Sequence, residues 1–84
     1  MSDQSRATTL ERVQHVVASV LHVPLASVTP SALLTEIAAL DSLSLAEIAA
    51  GLDEEFRTRV PSDDLTAVQT VGDLAALVER APRR

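Results

Sequence analysis

Phe56 is the only aromatic residue in a chain without a cysteine, so its interior must be built from Leu, Val, Ile and Ala. Aliphatic interiors suit packed helices. A β-sandwich would want more aromatics and more turn glycines than the two present here, Gly51 and Gly72. At 84 residues the chain can bury one core but cannot divide it. The expectation is a single all-α domain, its core lying between about residues 8 and 80 with short polar ends.

The absence of cysteine removes disulfides, thiolate metal sites and a cysteine nucleophile. Met1 opens onto the polar stretch Ser2-Asp3-Gln4-Ser5-Arg6 rather than a basic segment leading into an apolar one. No apolar run approaches the roughly 20 residues that a membrane-spanning helix needs. A soluble, cytoplasmic, monomeric protein is expected, with no part in membrane binding.

Helical periodicity runs along most of the chain. Leu10, Val13, Val17, Val20 and Leu21 recur at helical spacing, Thr8-Thr9-Leu10-Glu11 reads as a capping box, and Pro24 closes a helix expected over about residues 8–22. From Pro24 to Leu40 prolines and hydroxyl residues separate Leu25, Val28, Leu33, Leu34 and Ile37. That spacing predicts a long loop pinned to the core, with room for one helical turn around residues 31–34. The next helix should start at Asp41 or Ser42, where Asp41 can accept from first-turn N–H groups, and run to about Phe56. Leu45, Ile48, Ala49, Leu52 and Phe56 fall on one stripe of it, and Glu47, Glu54 and Glu55 fall mostly off it. Gly51 should weaken this helix by about 1 kcal/mol relative to alanine unless another element packs closely there.

Pro61-Ser62-Asp63-Asp64-Leu65 supports one or two helical turns at most. The last helix begins after Thr70, with Thr70-Val71-Gly72-Asp73 as an acidic variant of the capping box, and Pro82 ends it. It is expected to expose Val71, Leu74, Ala75, Leu77 and Val78 to partners. The count is three longer helices, one short helix and a long first loop, a four-helix bundle.

The net charge of −5 is unevenly placed. Residues 41–64 hold the acids Asp41, Glu47, Asp53, Glu54, Glu55, Asp63 and Asp64 against only Arg57 and Arg59, whereas acids and bases balance elsewhere. Such a segment repels nucleic acid and anionic membranes and attracts a basic protein surface.

The common enzymatic constellations are missing. His15 and His22 stand seven residues apart with no placed third ligand, which favours surface positions over a metal site. The isolated glycines form no phosphate loop. The runs Asp53-Glu54-Glu55 and Asp63-Asp64 lack a dry cleft to separate their pKa values, so a solvated face is the simpler reading. No Gly-x-Ser-x-Gly turn surrounds Ser42, and neither histidine is placed to act as its base. Taken alone, Asp41-Ser42 is an N-terminal capping pair.

The wider context adds to that. Leu40-Asp41-Ser42-Leu43-Ser44-Leu45-Ala46-Glu47-Ile48, then Leu52-Asp53-Glu54-Glu55-Phe56, Val60-Pro61 and Thr70-Val71-Gly72-Asp73-Leu74 resemble the acyl carrier protein family in order and spacing. The resemblance covers about residues 8–80. It implies a four-helix carrier fold, here a freestanding one. It implies too that Ser42, flanked by Asp41 and Leu43, accepts 4′-phosphopantetheine from coenzyme A through a magnesium-dependent phosphopantetheinyl transferase. Glu47, Asp53, Glu54 and Glu55 match the acidic positions of the family's recognition helix, and Leu43 its exposed apolar contact.

The other implied partners are an adenylating ligase or acyltransferase and a condensing or transferring synthase, the chain being their substrate rather than a catalyst. Many family members carry Leu-Gly-x before Asp-Ser-Leu where this chain reads Ile37-Ala38-Ala39-Leu40, so the approach to Ser42 should differ. The cargo is expected to belong to polyketide, nonribosomal peptide or related secondary metabolism. The alternatives are the housekeeping fatty acid carrier and an unmodified helical interaction module of the same fold.

Overall fold

The computed structural model describes residues 3–39 and 41–82, with side chains from residue 9 onward except that of Ser62. The described residues form five α-helices, α1 (Asp3–Leu21), α2 (Leu34–Ile37), α3 (Ser42–Phe56), α4 (Ser62–Leu65) and α5 (Val71–Arg80), plus a 3-10 turn at Leu25–Ser27. Three are long and two are single turns. The only extended pairing among them is an isolated antiparallel bridge between Leu33 and Thr70. The architecture is the expected all-α bundle.

α1 packs against both α3 and α5, and α4 closes on α3. Their facing stripes supply a core of Val13, Val17, Val28, Leu34, Ile48, Leu52, Val60, Leu65, Val71, Leu74 and Val78, all nearly inaccessible to solvent. At about 1.5 to 3 kcal/mol for each fully buried Val, Leu or Ile, this aliphatic cluster is the main source of stability. Leu45 and Phe56, at the two ends of the α3 stripe, are partly buried against it. Gly51 has its packing reason: a Cβ there would lie 3.0 Å from Val16 Cγ1, so the missing side chain lets α1 approach α3.

Three local expectations are corrected. α1 begins at Asp3, so Thr8 and Thr9 lie inside the helix and do not cap it. The apolar face of α5 is not exposed to partners: Val71, Leu74, Ala75 and Val78 are buried and Leu77 is half-buried, because α1 covers them. The helical turns of the first loop lie on either side of residues 31–33, the 3-10 turn at Leu25–Ser27 before them and α2 from Leu34 after them. Ala32 O accepts from Val71 N at 3.1 Å and Leu34 N donates to Gln69 O at 2.9 Å, which holds Leu33 extended and delays the helix to Leu34.

Helix ends follow two patterns. α5 starts with the full capping box, Asp73 N donating to Thr70 Oγ1 at 3.0 Å and Thr70 N to Asp73 Oδ2 at 3.3 Å. α1 and α3 instead finish on left-handed residues that are not glycine, His22 at φ 58° and Arg57 at φ 55°. Val23 N reaches back to Ala18 O at 3.1 Å and Thr58 N to Asp53 O at 3.2 Å, the closing bonds of such C-terminal motifs.

Candidate functional site

Asp41 is the N-cap of α3, in extended conformation, and its Oδ1 accepts from Ser44 N at 2.8 Å. Its carbonyl accepts the first intrahelical bond from Leu45 N at 3.0 Å. The Ser44 amide above all, and the Ser44 hydroxyl next, hold the Asp41 carboxyl below the ordinary aspartate value. A carboxylate that accepts hydrogen bonds is favoured in its charged form.

Ser42 follows as the first residue of α3 and is exposed. Its hydroxyl therefore sits where first-turn N–H groups and the positive end of the helix dipole face solvent, a setting that stabilises a phosphate ester. Beside it Leu43 is 67% exposed, one of two large apolar side chains left open among the described residues, the other being Leu25. An exposed serine at a helix start beside an exposed leucine is a position that can carry a phosphate ester.

The family model described as the phosphopantetheine attachment site matches residues 11–78. The chain belongs to the acyl carrier protein family. It is 35% identical over 72 residues to an acyl carrier protein of Saccharopolyspora erythraea, covering 86% of this chain and 76% of that one. An acyl carrier protein of Helicobacter pylori is 33% identical over 69 residues, 82% of this chain and 88% of the other. A meromycolate extension acyl carrier protein of Mycobacterium tuberculosis is 26% identical over 68 residues, 81% of this chain and 59% of the other. The cofactor of this carrier is thus covalent 4′-phosphopantetheine.

The acids of α3 in this acyl carrier protein differ in their surroundings. Glu47 and Glu54 are exposed. Asp53 is half-buried, and its Oδ1 accepts from Val60 N at 2.7 Å. Glu55 Oε2 accepts from Arg12 Nε at 2.7 Å, while Arg12 Nη2 donates to the Glu55 carbonyl at 2.6 Å. The same guanidinium lies 4.5 Å from the centre of the Phe56 ring. Arg12 had no local signal in the sequence, because its partner is 43 residues away.

His15 and His22 are both exposed, and among the described residues no three His, Cys, Asp or Glu side chains are grouped to share a metal ion. No described helix is long and apolar enough to cross a membrane. Leu40 lies outside the described residues. Two grooves among the described residues lie away from Ser42. One of about 620 Å³ runs between α4 and α5 past Arg59, Val60, Asp73 and Arg80. It borders the turn after the far end of α3, and a helix of 15 residues rises about 21 Å. The other, of about 440 Å³, lies between α1 and α3 and is lined by His15, Val16, Gly51 and Glu54.

Proposed function

We propose that Ser42 carries the phosphopantetheine arm and that the protein presents acyl or aminoacyl groups to enzymes of polyketide, nonribosomal peptide or related secondary metabolism. The observation that supports the attachment point is the exposed hydroxyl at the capped start of α3, with Asp41 fixing the turn and Leu43 open beside it. The arm supplies a terminal thiol on which cargo is held as a thioester. The chain's own part is to hold the Ser42 oxygen clear of the bundle and to offer a surface that a sequence of enzymes can read.

In this reading the protein is a substrate of its partners and not a catalyst. A phosphopantetheinyl transferase installs the arm, an adenylating ligase or acyltransferase loads it, and a condensing or transferring synthase unloads it. Leu43, Glu47, Asp53, Glu54 and Glu55 form the surface they meet, with Glu47 and Glu54 the most available for direct pairing with a basic partner, since Asp53 and Glu55 also hold structural bonds.

The test is intact mass before and after incubation with coenzyme A, magnesium and a broad-specificity transferase. The expected result is a gain of one phosphopantetheine on the wild type and none on Ser42→Ala, with unchanged circular dichroism. Modification of Ser42→Ala would move the attachment point elsewhere. Incubation of the holo form with ligases, ATP and mixed acids, read by mass, then assigns the cargo class.

A further inference from the structure

The start of α5 holds the loop that leads to Ser42. Gly72 N donates to Pro30 O at 2.8 Å, Val71 N donates to Ala32 O at 3.1 Å, and Leu34 N donates to Gln69 O at 2.9 Å. The first-turn N–H groups that a helix leaves open are here satisfied by the carbonyls of a distant loop. Gly72 permits it. A Cβ on Gly72 would stand 3.2 Å from the Pro30 carbonyl oxygen, so the docked backbone would have to give by a few tenths of an ångström.

Few residues separate this seam from the acceptor. Leu34 is anchored in the core at 2% exposure, residues 34–37 are helical, and only residues 38–41 remain before Ser42. Ala39, Asp41, Ser42 and Leu43 are all exposed. An enzyme that covers the Ser42 hydroxyl must also cover this approach, because a specific interface takes in about 800 Å² on each partner.

The geometry points to Gly72 as a positioning residue for arm attachment: by letting Pro30 dock on the first turn of α5, it sets the position of α2, the last element before the helix that Ser42 opens. This rests on the assignment of the arm to Ser42. In the transfer the Ser42 oxygen forms the new P–O bond, the pyrophosphate bond of coenzyme A breaks, the nucleotide leaves, and the hydroxyl proton passes to the transferase or to solvent. Gly72 touches none of these atoms. Its effect is on the fraction of carrier whose loop is seated when the enzyme arrives, and apparent affinity falls in proportion to that fraction.

The experiment compares transferase kinetics on the full-length apo chain as wild type, Gly72→Ala, Gly72→Val and Val78→Ala. Val78 is buried in the core at the other end of α5 and is the control for lost stability. The expected result is a KM for the carrier that rises about twofold for alanine and roughly tenfold for valine, with kcat nearly constant and the Val78→Ala values at wild type. Amide exchange at Leu34 and Gly72 should quicken in the Gly72 variants while that of α1 does not.

A wild-type KM for a folded Gly72→Val overturns the inference, as does an equal rise in KM for Val78→Ala. Should the valine variant fail to fold by circular dichroism, the alanine variant decides by the same readings: a raised KM with quickened exchange supports the inference and wild-type values overturn it. If the wild type gains no arm, the assignment of Ser42 fails and takes this inference with it; an arm on the wild type with unaltered Gly72 variants removes this inference alone.

Discussion

The two ends of α3 are built for opposite purposes. At its start the chain spends one side chain, Asp41, on the helix and leaves Ser42 and Leu43 to solvent. At its end nearly every group is engaged. The Asp53 carbonyl accepts from Arg57 N and Thr58 N, the Asp53 carboxylate accepts from Val60 N, and Arg12 spans the Glu55 side chain, the Glu55 carbonyl and the Phe56 ring. A carrier needs one end reachable by many enzymes. It also needs that end held still, and the bonds at the far end, with the α1 contact at Gly51, supply the fixed base.

The contrast predicts that damage at the closed end lowers stability while the open end keeps its chemistry. Asp53→Ala removes a charged acceptor from a half-buried backbone N–H and should cost about 2 kcal/mol. Chemical denaturation measures the loss, and Ser42 should still take up one full phosphopantetheine at saturating transferase. A matching loss of modification without unfolding would show that the two ends are coupled.

Arg12→Ala should cost less, about 1 kcal/mol, because the pair it breaks is well exposed and the ring contact is modest. Arg12→Lys should recover only part of this, since an ammonium cannot serve Glu55 Oε2, the Glu55 carbonyl and the Phe56 face together. Arg57→Gly has the opposite sign. The left-handed conformation at φ 55° strains any side-chain-bearing residue, so glycine should stabilise by about 0.5 to 1 kcal/mol, read as a rise in Tm. A fall in Tm would mean that the Arg57 side chain makes contacts that outweigh its backbone strain.

The open end was the legible one. A cap acts within three residues, so Asp41 and the start of α3 followed from the order of side chains, as did the Thr70–Asp73 box of α5. What the sequence could not show depends on residues far apart in the chain. The Thr8-Thr9-Leu10-Glu11 run has the form of a box, yet the helix continues back through it to Asp3. The ends of α1 and α3 carry no glycine to announce a left-handed residue. The delay of α2 to Leu34 depends on Gln69 and Val71, and the bonds of Asp53 and Glu55 depend on Val60 and Arg12. An amphipathic α5 read alone leaves its apolar face without a partner, and only the position of α1 shows that the face is core.

The smallest expected effect is also the most local. Asp41 has a carboxyl held below its ordinary value by the Ser44 amide, so the cap contributes to stability at every pH above the unfolded-state value. That contribution is lost as the pH falls through the lower, folded value, when the carboxylate takes up a proton. Carbon-detected NMR titration should place the Asp41 midpoint below that of an unstructured aspartate, with the Ser44 amide shift following the same curve. In Asp41→Asn the amide oxygen can still accept from Ser44, so the Ser44 amide should stay protected and lose its acid titration. A Ser44 amide that keeps the same titration in Asp41→Asn would show that another group, and not the cap, governs the start of α3.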